Sequence, residues 1–123
     1  MLKQKTLRIL FWLAAGTSIV LLMLPGGVFG DVSFGRLDLL VHLTMMAGVA
    51  ALGVMAYGRY RLPMILGLGT AAIGSEILQI FVPGRYFDLT DLAANCLGIA
   101  VGYLVGLLLT PLARKREPLA INR

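Results

Sequence analysis

The chain has 123 residues, of which 59% are hydrophobic and 14% charged, with a mean hydropathy of +0.87. Soluble domains average about 45–50% apolar and about 25% charged residues, so too little polar surface remains here to clothe a water-soluble fold, and disorder is excluded for the same reason. One cysteine, Cys96, and one histidine, His42, exclude an intrachain disulfide framework, a cysteine-based zinc site and a metal site built from several imidazoles of one chain.

Four apolar runs organise the sequence. The first, Leu7–Leu24, follows Lys3 and Lys5 and closes at Pro25-Gly26-Gly27. Its basic leader and the small residue Gly30 imitate a cleaved signal peptide. The run exceeds the about 7–15 residues of a signal core, however, and reads as a retained span. The second, Leu37–Tyr57, ends at Gly58 to Arg61; the third, Leu62–Val82, ends at Pro83-Gly84; the fourth is Leu92–Leu112. As helices, these last three would each reach roughly 31 Å, one hydrocarbon core. The expectation is an all-α polytopic membrane protein: one domain over 1–123, folded as a bundle of four transmembrane helices.

Charge sets its direction. Nine of the eleven Lys and Arg, among them Lys3, Lys5, Arg8, Arg59, Arg61 and Arg114, fall on one side of this topology, with Arg36 and Arg85 on the other. By the positive-inside rule both termini are cytoplasmic, in a plasma (inner) membrane, and the net charge of +5 is a topology signal. Nucleic acid is not an expected partner.

Polar residues inside the spans fall at one level. His42 lies about 7–8 Å below the outer end of the second helix, Glu76 about 9 Å below that of the third, and Asn95 about 4–5 Å below that of the fourth. Helical spacing adds a neighbour to each: Asp38 four before His42, Gln79 three after Glu76, Asp91 four before Asn95. Arg85, in the short outer loop, is the nearest cation that could fold back toward Glu76 or Asp91. Ionisable groups at such depth cost about 2.5–3.5 kcal/mol at mid-membrane and mark functional sites by default. Plainer readings stand beside that one. His42 could be an interhelical hydrogen bond, and Asp88 and Asp91 could cap the fourth helix and complement its dipole. Gly98, Gly102 and Gly106 form a small-xxx-small ridge for close helix packing, within the bundle or in a homo-oligomer. Cys96 reads as a buried small apolar residue.

Asp38-x-x-x-His42, Glu76-x-x-Gln79, Pro83-Gly84-Arg85 and Asp88-x-x-Asp91-x-x-Ala94-Asn95-x-x-Gly98 together resemble the VanZ-like family of small membrane proteins, over roughly residues 37–106. That family is named for a member linked to teicoplanin resistance. It often carries a base directly after the first Asp, where this chain has Leu39; Arg36 could substitute. The resemblance implies a cell-envelope role and glycopeptide tolerance, not a reaction. From the residues, three functions stay open. In the first, Asp38, His42, Glu76, Gln79, Arg85, Asp88, Asp91 and Asn95 line an outer pocket for a lipid head group or cell-wall intermediate. In the second, the Asp/His/Glu cluster is catalytic toward a lipid-linked phosphate, around a divalent metal. The third is structural, assembling a partner. Beyond the bilayer no cofactor follows from the sequence.

Overall fold

The computed structural model describes residues 4–25 and 35–114. Lys3, Gly26, Gly27, Gly30, Asp31, Lys115, Arg116, Glu117 and Arg123 lie outside that range, as do the side chains of Arg36, Leu37 and Arg114. Four helices follow one another: α1 (Gln4–Leu22), α2 (Gly35–Ala56), α3 (Arg61–Gln79) and α4 (Leu89–Arg114), with one 3-10 turn, Gly58–Tyr60, between α2 and α3. All four are long and apolar enough to cross a membrane.

The boundaries differ from the hydropathy pattern where local chemistry intervenes. α3 stops at Gln79, three residues before Val82. There the backbone tightens into i→i+3 bonds, Ile80 N–H to Ile77 O, Phe81 to Leu78 and Val82 to Gln79. Pro83 then follows, and Gly84 takes φ 74°, a conformation that disfavours any residue with a Cβ. α4 begins at Leu89, earlier than Leu92, because Asp88 caps it: Asp88 Oδ1 accepts the Thr90 N–H at 2.8 Å.

The chain alternates direction, so α2 and α4 run parallel, and they are the most closely packed pair. Gly98 faces Leu43, Gly102 faces Ala47, and Gly106 faces Ala51 and Val54. A Cβ on Gly102 would run into the Ala47 backbone, and one on Gly106 would lie 2.7 Å from Val54 Cβ. The glycine ridge is therefore consumed inside the bundle. Its absent side chains let the two backbones approach as apolar surroundings favour.

α1 lies antiparallel to α2. Leu7 and Phe11 pack with Val49 and Ala56, and Leu22 with Met46, Ala50, Ala72 and Ile99. At the end holding the start of α1, the Gln4 side-chain amide reaches the Ala56 carbonyl. Trp12 Nε1 donates to the Tyr57 hydroxyl at 2.9 Å, and the Arg8 guanidinium sits 5.2 Å from that ring's centroid. The outward faces are apolar, with Trp12, Leu13, Leu62, Leu66, Leu104 and Leu108 exposed, as contact with lipid requires. Cys96 is exposed as well, contrary to its reading as a buried filler. It falls off the Asn95–Gly98–Gly102 stripe that faces α2 and points away from the seam.

Candidate functional site

Four of the six largest fully buried side chains are polar, namely His42, Gln79, Glu76 and Asn95. In a bundle meant for lipid, such residues must find partners inside the protein. They lie at the end of the bundle that carries the starts of α2 and α4 and the end of α3.

His42, at 1% exposure, is the hub. Its Nδ1 lies 3.1 Å from Asn95 Oδ1 across the α2–α4 seam. An amide oxygen can only accept, so Nδ1 is the donor of this bond and Nε2 is the ring nitrogen left for another partner. That nitrogen faces Asp38 Oδ1 at 3.8 Å and Asp91 Oδ2 at 3.9 Å. On the other side, Glu76 Oε1 from α3 lies 4.0 Å from Nδ1. Glu76 Oε2 is 3.5 Å from the Asp88 N–H, a long contact. His42 Nε2, Glu76 Oε1 and Asn95 Nδ2 are buried with no hydrogen-bond partner among the described residues. Three orphaned polar atoms within one cluster are what a site kept for something else would show.

The remaining residues divide between floor and rim. Gln79 donates from Nε2 to the Leu22 carbonyl of α1 at 2.9 Å. Arg85 donates from Nε to the Leu24 carbonyl at 3.2 Å and lies 3.8 Å from Asp38 Oδ2. Its partner is thus Asp38, where the sequence suggested Glu76 or Asp91. Its charge sits over the mouth of the cluster. Asp88 belongs to the helix cap. The Thr90 hydroxyl, and then the Thr90 N–H, hold its carboxyl below the usual carboxylate range.

The sequence showed the α1 span but not the part that helix plays at the cluster. The carbonyls of Leu22 and Leu24 are acceptors left free by the helix end, and a backbone acceptor has no residue signature. The available signal was Gln79 itself, an amide within an apolar span that needs a partner of its own. Of the titratable groups, Asp38, His42 and Asp91 bring one ligand atom each within 4.8 Å of one another, the set best placed to hold a cation.

Among known families, the VanZ/LLP1 profile matches residues 11–110. The chain belongs to the VanZ/LLP1 family. The match takes in every polar residue of the cluster, and it reaches beyond 37–106 into most of α1, the helix whose carbonyls bind Gln79 and Arg85. No curated protein and no solved structure matches the chain.

Proposed function

We propose that this VanZ-family protein binds an anionic lipid head group or a lipid-linked cell-wall intermediate at the outer face of the plasma membrane, and through it alters glycopeptide access. The observation that carries the reading is the group of buried, unpartnered polar atoms on His42, Glu76 and Asn95 beneath the half-exposed Asp38 and Arg85. Arg85 supplies a bidentate phosphate donor at the rim. Lys5, Arg8, Arg59 and Arg61 lie toward the opposite end, which favours that end as cytoplasmic. Labelling a cysteine at residue 87 in a Cys96→Ala background tests the sidedness; labelling from the cytoplasm alone would overturn it.

The binding test is native mass spectrometry of the full chain released from vesicles of phosphatidylcholine, phosphatidylglycerol or a polyprenyl diphosphate. Selective retention of an anionic lipid, reduced at least about tenfold in Arg85→Ala, is expected. Equal retention of all three lipids would refute the reading. A second, enzymatic reading rests on the imidazole held between carboxylates from two helices. It requires phosphate release from the diphosphate, whereas pure binding leaves that lipid intact.

A further inference from the structure

The carboxylates at the mouth of the cluster stand at ion-pair distance from the imidazole and beyond hydrogen-bond distance. Asp38 and Asp91 approach His42 Nε2 at 3.8 and 3.9 Å, too far for hydrogen bonds, which run about 2.7–3.2 Å. Ligand atoms about 2.1 Å from one ion in a tetrahedral shell lie about 3.4 Å apart, so shifts of a few tenths of an ångström at the carboxylates suffice to bring all three onto one ion. We propose that Asp38, His42 and Asp91 form a binding site for one divalent first-row metal ion of the Mn2+ or Zn2+ class.

Three further observations support it. His42 is 1% exposed, and its Nε2 is unpartnered and aimed between the two carboxylates. With Nδ1 engaged by Asn95 Oδ1, Nε2 is the nitrogen turned toward the carboxylates and available to ligate. Metal-bound histidines use such a partner on the other ring nitrogen, and here Glu76 Oε1 adds a carboxylate on that same side. The charge around the imidazole also asks for a cation. Asp38, Glu76 and Asp91 converge on it, and among the described residues Arg85 is the one Arg or Lys within ion-pair reach of them. Carboxylates at this depth are costly unless neutralised. One imidazole with two carboxylates suits a borderline divalent ion better than the all-oxygen sets favoured by Ca2+ or Mg2+. Asp38 is the most exposed of the three ligands, with a side chain at 34%. The ion's open positions therefore lie on the side where Arg85 stands.

The site uses the cluster assigned to head-group binding, but it does not rest on that reading. The test uses Mn2+ alone and the full chain, without a histidine tag, stripped with chelator and held in phosphatidylcholine nanodiscs. His42 is the chain's single histidine, so any imidazole nitrogen coupling in the electron spin-echo spectrum of bound Mn2+ reports that residue. One Mn2+ per chain with nitrogen coupling is expected, with displacement by equimolar Zn2+. Asp38→Asn and Asp91→Asn should each weaken Mn2+ binding at least tenfold. The wild-type spectrum needs no variant to fold, and Asp38 is the ligand least tied into the packing. Saturating Mn2+ without nitrogen coupling would overturn the proposal. So would affinities in both variants within twofold of wild type, or a Mn2+ signal indifferent to Zn2+. Metal binding without anionic-lipid retention would sink the head-group reading alone and leave this one standing.

Discussion

The two ends of the α2–α4 seam are packed by opposite means. From Gly98 onward the helices meet backbone to backbone, with glycine against Leu43, Ala47 and Ala51. One turn earlier they meet through side chains, His42 to Asn95, with Asp38 and Asp91 beyond. The glycine half carries one buried polar side chain, Thr110, satisfied by the Gly106 carbonyl at 2.6 Å, and has no volume to spare, so it suffices to fix the parallel register. The polar half leaves three buried atoms unpartnered, which a purely structural contact would not retain. The contrast separates what holds the bundle together from what the bundle holds.

The glycine half breaks most easily. Gly102→Val should cost about 1–3 kcal/mol or abolish the folded protein, because overpacking cannot be relieved against the Ala47 backbone. Gly67→Ala, with open space around its Cβ position, should leave the melting temperature unchanged; equal losses at both positions would remove the seam's special status. In the polar half, Asn95→Leu strands the His42 N–H and should cost about 1–3 kcal/mol. A double-mutant cycle with His42→Leu should return a coupling near the about 0.6 kcal/mol average for interhelical hydrogen bonds. A coupling near zero would mean the 3.1 Å contact contributes nothing.

Gln79→Leu should loosen α1 while sparing the seam, seen as faster hydrogen exchange over residues 15–24 with unchanged exchange over 98–106. Uniform exchange would contradict the docking of α1 through the Leu22 carbonyl. The smallest effect belongs to the cap. Asp88 is held below its usual pKa of 3.8 by Thr90, so its contribution is complete above that value and is lost as pH falls through the lowered one. Asp88→Asn, which still caps, should flatten that acid limb of the melting curve. An unchanged limb would show that Asp88 is not its source.

Much of this was legible beforehand. Hydropathy marked the spans, and alternating direction put His42, Glu76 and Asn95 at one depth, because depth in a membrane helix is a count of residues. Rotation about the helix axis was legible in part. Asp91, Asn95, Gly98 and Gly102 repeat at helical spacing, a stripe that leaves Cys96 outside, although Cys96 was read as buried and is exposed. What could not be read were partners supplied by backbone. The Leu22 and Leu24 carbonyls that engage Gln79 and Arg85, and the Ala47 carbonyl beneath Gly102, depend on where a helix ends or lies, not on its side chains. Arg85 went to Asp38 for the same reason: the position of α1's last turn draws its guanidinium across the mouth.

The central claim is that the polar half is maintained for a ligand and not for cohesion. Glu76→Gln tests it most directly, since the amide keeps the size and hydrogen-bonding capacity of Glu76 and removes only its charge and proton. The measurement is Mn2+ retention per folded molecule, taken at matched membrane abundance and melting temperature. A folded, normally stable protein with retention reduced at least about tenfold is the expected result. Full retention at normal stability would contradict the account and return the cluster to the role of a structural bridge.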